Sequence, residues 1–131
     1  MEKFNPKKIL IVDDDVLTIA TMAQTLLRNG YQVVHATDAA KAFKVTKKDK
    51  PDLIICNYES KKLDVQQLLK SIQTARPSQG IPLLLITETP ESPSAEPGIL
   101  GPKQHLNRPF TREQLTIAVQ ENLKRLPPLK Q

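Results

Sequence analysis

The stretch "KKILIVDDD", residues 7–15, decides how the rest of the chain is read. Four consecutive apolar residues, 9–12, are rich in β-branched side chains and run directly into three carboxylates. An uninterrupted apolar run is expected of a strand covered on both faces, as in a parallel sheet; a strand with one wet face would alternate. After Asp13, Asp14 and Asp15 the pattern changes to helical spacing, with Val16, Ile19, Ala20, Ala23, Leu26 and Leu27 as the apolar positions. Gly30 stands where a left-handed C-terminal cap belongs.

Working outward, the same alternation repeats. Residues 31–35 read as a second strand, and Asp38 as the N-cap of a lysine-rich helix that must end before Pro51. The apolar run 53–56 is a third strand. Val65, Leu68, Leu69, Ile72 and Ala75 mark the buried stripe of the helix after it, 83–86 a fourth strand, and 104–107 a weaker fifth. Thr111 with Gln114 forms a capping box opening a last helix, whose buried side carries Leu115, Ala118, Val119, Asn122, Leu123 and Leu126. Strands alternating with helices at this spacing predict an α/β fold, a doubly wound parallel sheet with helices on both faces.

The alternation fails once. "TETPESPSAEPGILGP", residues 87–102, places prolines at 90, 93, 97 and 102, each lacking a backbone donor. The helix between strands four and five is therefore expected to be shortened or lost. At 131 residues the chain has the size of one domain, read as residues 1–126, with 127–131 as a tail or the start of a linker.

Composition removes several function classes. The longest apolar runs are too short to cross a bilayer, and the first is followed at once by acids, unlike a signal peptide, which predicts a cytoplasmic protein without a membrane partner. Cys56 is the single cysteine and ends an apolar run, which points to a buried structural thiol. The net charge of +5 includes Lys41, Lys44, Lys47, Lys48 and Lys50 in one short segment. With no interleaved aromatics and no DNA-reading motif, a solvated helix face is preferred over nucleic-acid binding, which stands as the last alternative. A dinucleotide enzyme of similar fold would need G-x-G-x-x-G after the first strand, where this chain has three aspartates.

In open parallel sheets ligands sit beyond the carboxyl ends of the strands. That rule gathers Asp13, Asp14, Asn57, Thr87 and Arg108 onto one rim. "ILIVDDD", "PDLIICN", "LLLIT" and "LNRPFT" occur in an order and at intervals that resemble the receiver domain of bacterial two-component response regulators, over about residues 7–126. The resemblance implies a flavodoxin-like sheet of five strands in the order 2-1-3-4-5. It also implies a phosphorelay function. In that family an acidic pair holds Mg²⁺, an aspartate after strand three accepts a phosphoryl group from a histidine kinase, a Ser or Thr after strand four binds it, and a Lys before a commonly cis Pro pairs with the acceptor.

Asp13 and Asp14 match the acidic pair, Thr87 the hydroxyl and Pro109 the proline. Asn57 stands at the acceptor and Arg108 at the lysine, while His105 occupies the place of a switch aromatic. Lys61, Lys62 and Val65 stand where the family has Pro-Gly and a later Gly. Phosphoryl acceptance needs an anionic oxygen to attack phosphorus, and an amide is a poor nucleophile. The same exchange removes a charge from the metal shell, so no cofactor is expected and Mg²⁺ would be held weakly, through Asp13 and Asp14. Glu59 could approach the site and compensate for that charge, but the preferred reading is an exposed loop acid. A salt link from Arg108 to Asp13 or Asp14 would supply the missing cation.

The expected function is that of an atypical, non-enzymatic receiver. It would bind a signalling protein or an output domain through strand 4, strand 5 and the last helix, with homodimer formation left open. The alternative is an active receiver phosphorylated at another acid such as Asp14.

Overall fold

In the computed structural model the described residues are 6–60, 67–68, 70–71, 80–88 and 105–124. Five strands pair in parallel: β1 (Lys8–Val12), β2 (Gln32–Ala36), β3 (Leu53–Asn57), β4 (Leu83–Thr87) and β5 (His105–Asn107). Their order is β2-β1-β3-β4-β5, the flavodoxin-like arrangement. Three helices are described over their length: α1 (Val16–Arg28), α2 (Ala39–Asp49) and α3 (Arg112–Lys124).

Alternate residues of the central strands enter two separate cores, which is why their apolar runs are continuous. Leu10, Val12, Ile54, Cys56, Leu83 and Leu85 face Ala42 of α2 and the helical Leu68. Ile9, Ile11, Leu53, Ile55, Leu84 and Ile86 face Ile19, Met22 and Leu26 of α1 and Leu115 and Val119 of α3. Each fully buried Leu or Ile contributes about 1.5–3 kcal/mol of burial free energy, so the two layers together dominate the folded state.

Local chemistry sets the element ends. Asp15 caps α1 by accepting from Leu17 N, and Asp38 caps α2 by accepting from Lys41 N at 2.8 Å. The α1 terminus is a Schellman motif: Gly30 N donates to Leu27 O and Tyr31 N to Leu26 O, with Gly30 at φ +88°. At α3 the capping box is closed in both directions, Gln114 N to Thr111 Oγ1 at 3.0 Å and Thr111 N to Gln114 Oε1 at 2.9 Å.

Three expectations shift. The second strand begins at Gln32, because Tyr31 N is spent on the α1 terminus. The third and fourth strands each extend by one polar residue, Asn57 and Thr87. On α1 the buried arc is centred on Ile19, Met22 and Leu26, which leaves Val16, Ala20 and Leu27 exposed and not on the buried stripe. The helix read from Val65 to Ala75 is described only at Gln67, Leu68, Lys70 and Ser71, all helical. The shortened helix between strands four and five, Leu126, the 127–131 tail and the loop positions Lys61, Lys62 and Val65 lie outside the described residues.

Candidate functional site

The backbone of β1 carries Asp13 into the interior. Asp13 N still donates to Ala36 O, continuing the ladder for one residue, and its side chain is fully shielded from solvent. Asp14, the next residue, is half-buried at the rim, and Asp15 turns outward to cap α1. Three adjacent carboxylates thus have three different environments.

Asp13 is the centre of the cleft. Its Oδ1 accepts from Asp15 N at 2.9 Å and from Asn57 Nδ2 at 3.4 Å, and its Oδ2 lies 3.7 Å from Arg108 Nη2. At that distance the Arg108 contact is an ion pair without a hydrogen bond, and among the described residues neither atom has another hydrogen-bond partner. Loss of solvent raises the Asp13 pKa above its ordinary 3.8, against the opposing pull of the Asp15 and Asn57 hydrogen bonds and the Arg108 charge. The expected salt link is therefore present, to Asp13 of the two acids considered.

The orientation of Asn57 is set by a one-way donor. Glu59 N donates to Asn57 Oδ1 at 3.0 Å, and a backbone N–H can only be matched by the oxygen, so the NH₂ end faces Asp13. Where three carboxylates would present oxygens to a divalent cation, the cleft has an amide offering hydrogens and a guanidinium beside the deepest carboxylate. Among the described residues no cluster of three or more His, Cys, Asp or Glu is grouped as a metal site. This donor set does not fit an octahedral Mg²⁺ shell of the three-carboxylate kind.

Thr87 ends β4, is buried, and pairs in register with Asn107 of β5. Its hydroxyl accepts a hydrogen bond from Asn107 Nδ2, and its carbonyl accepts from Arg108 N at 2.8 Å. The Arg108–Pro109 peptide is cis, and Pro109 is exposed. His105 lies two residues before Asn107 on β5, in register with Leu85, where burial lowers its pKa. Cys56 is fully enclosed below the cleft, and burial pushes its thiol up to about 12, in keeping with an inert packing role.

Two residues were misjudged or missed. Asn107 reaches Thr87, and Glu59, expected as an exposed loop acid, is half-buried, its Oε2 accepting from Glu88 N at 3.3 Å and tying the loop after β3 to the end of β4. For the first there was a usable signal: both residues are the polar ends of adjacent strands, which parallel pairing sets side by side. The second has no local signal, since Glu59 and Glu88 belong to separate loops.

A cleft of this build, at the carboxyl end of a 2-1-3-4-5 sheet, is the arrangement of a signalling receiver. The chain belongs to the response regulator receiver domain family, whose model matches residues 9–120. It is 31% identical over 120 residues to the alkaline phosphatase synthesis transcriptional regulatory protein PhoP of Bacillus subtilis, across 91% of this chain and 49% of that one. It is 29% identical over 124 residues to the transcriptional regulatory protein GlrR of Escherichia coli, across 94% of this chain and 28% of that one. The chain thus spans half or less of the length of these two relatives. In fold it is similar to the chemotaxis response regulator CheY4 of Vibrio cholerae, with a TM-score of 0.73 and 22% identity over 89% of this chain and 98% of that one.

Proposed function

We propose that this receiver domain does not take up a phosphoryl group and acts as a protein-interaction module in a two-component pathway. The observation that supports the reading is the Asn57 amide, held by Glu59 N and turned with its NH₂ toward the Asp13 carboxylate. An amide nitrogen there donates a hydrogen bond and does not attack phosphorus. Arg108 sets a positive charge against the enclosed Asp13, so that carboxylate is compensated by the chain's own side chain without Mg²⁺.

The module is not an enzyme in this reading, and it works in the cytoplasm. Its partner is another signalling protein or a linked output domain, met at β4, β5 and α3; PhoP and GlrR are named as transcriptional regulators and are longer than this chain. The test is intact-mass measurement after incubation with acetyl phosphate and Mg²⁺. No adduct is expected. A stoichiometric phosphoryl adduct would overturn the reading, and peptide mapping would then distinguish Asp14 from other acids.

A further inference from the structure

We infer that the solvent face of α1 is a contact surface for a second copy of this chain, paired antiparallel across a two-fold axis. The inference is independent of whether the domain takes up a phosphoryl group. Of the four large apolar side chains exposed among the described residues, three are on this one helix: Val16 at 67%, Leu17 at 76% and Leu27 at 57%. Adding Ala20 and Gln24, both exposed, gives Leu17, Ala20, Gln24 and Leu27, a spacing of three, four and three. That is the a/d spacing of a helix–helix seam, here facing away from the domain's own core.

The seam is self-complementary when reversed. About a centre midway between Ala20 and Gln24, Leu17 of one copy meets Leu27 of the other and Ala20 meets Gln24, with Ala20 small enough for close approach. The charges reverse in the same way. The N-terminal end of α1 is preceded by Asp14 and Asp15, and its C-terminal end carries Arg28, so each end of one helix brings an opposite charge to the far end of its partner. The macrodipoles of two antiparallel helices are aligned favourably as well. A parallel pairing would instead place acid against acid. The residue-for-residue match is what an isologous two-fold interface requires, and it singles out another copy as the occupant.

The helix is 13 residues long, about 20 Å by its rise, so the contact is smaller than that of an obligate dimer and belongs with weak, reversible ones. Sedimentation equilibrium of the full chain is the test. The weight-average mass is expected to climb from 14.7 kDa toward twice that value as concentration rises into the high-micromolar range. Leu17→Glu or Leu27→Glu, both at exposed positions, should weaken association at least tenfold while leaving the circular dichroism and melting curve unchanged. Combining Leu17→Glu with Leu27→Lys in one chain places opposite charges across both outer contacts of an antiparallel pair, and association should return. A chain that stays at 14.7 kDa throughout, or that self-associates equally with and without the single changes, overturns the inference. So does a double variant no better than either single one.

Discussion

Asn57 Nδ2 donates to Asp13 Oδ1 across 3.4 Å, joining the end of β3 to the end of β1 through a side chain that cannot carry negative charge. Replacing that amide by a carboxylate sets two anions against each other in a site already short of solvent. Asn57→Asp is therefore expected to lower stability by about 1–3 kcal/mol in the presence of a chelator. For a chain of this size that corresponds to a melting temperature lower by roughly 3–15 °C. Added Mg²⁺ should recover most of the loss in the variant and leave the unmodified protein unmoved. Thermal melts with and without Mg²⁺ check both halves, and a large Mg²⁺ shift in the unmodified protein contradicts the charge balance argued for Arg108.

Because Asp13 is enclosed, its ionisation works against folding. Its folded pKa is raised above the unfolded 3.8, chiefly by lost solvation. The sign follows from proton binding: below 3.8 both states are protonated and the site carries no penalty. As pH rises from there through the folded pKa, the unfolded chain releases its proton more readily and stability falls. Asp13→Asn, which keeps an oxygen for the Asp15 and Asn57 donors, is expected to be more stable than the unmodified protein at pH 7.5 by about 1 kcal/mol, with the gain shrinking toward pH 4. Urea unfolding at the two pH values measures it. A gain of equal size at both would show that the carboxylate charge is not its source.

The strands were legible because the central runs are apolar on both faces, whereas their order was implied only by the family resemblance that the four motifs carry. Helix ends were legible wherever a side chain or glycine closes them: Asp38, Gly30 and the Thr111–Gln114 pair all do what their positions suggest. The face of α1 was less legible. Apolar residues occur around more than half of that helix, so periodicity alone did not separate Met22, which packs inward, from Leu27, which does not. In the cleft, the choice between Asp13 and Asp14 as partner of Arg108 depended on the β1–β2 ladder continuing to Ala36 O, a long-range bond with no trace in local sequence.

The caps offer a direct comparison of two kinds of helix terminus. Thr111→Ala removes the oxygen that accepts from Gln114 N and should cost about 1 kcal/mol, while Gln114→Ala, which leaves that bond intact, should cost less. Gly30→Ala tests backbone alone, since a Cβ there meets nothing within 4 Å and the penalty comes only from φ +88°. About 1 kcal/mol is expected from that conformation too. Chemical denaturation of the three variants ranks them, and a neutral Gly30→Ala would contradict the left-handed cap.

The Arg108–Asp13 pair differs from a forked arginine–carboxylate clamp. Its 3.7 Å separation and lack of any hydrogen bond make it a contact between charges, with the Arg108 side chain 29% exposed as a whole, its Nη2 buried, and the carboxylate fully enclosed. Removing the cation leaves Asp13 with its two N–H donors but no counter-charge. The long, unbonded contact and the partial exposure of the Arg108 side chain limit the expected loss for Arg108→Ala to about 1 kcal/mol at neutral pH. The loss should shrink as pH falls through the raised Asp13 titration, where a proton on Asp13 does the same work. A bidentate arginine does not tolerate lysine, but a point-charge contact does, so Arg108→Lys is expected to retain most of the stability that Arg108→Ala loses. Equilibrium unfolding of both variants at neutral and acidic pH reads this out. If the lysine variant proves as unstable as the alanine one, the pair depends on guanidinium geometry and the picture of a diffuse charge contact is wrong.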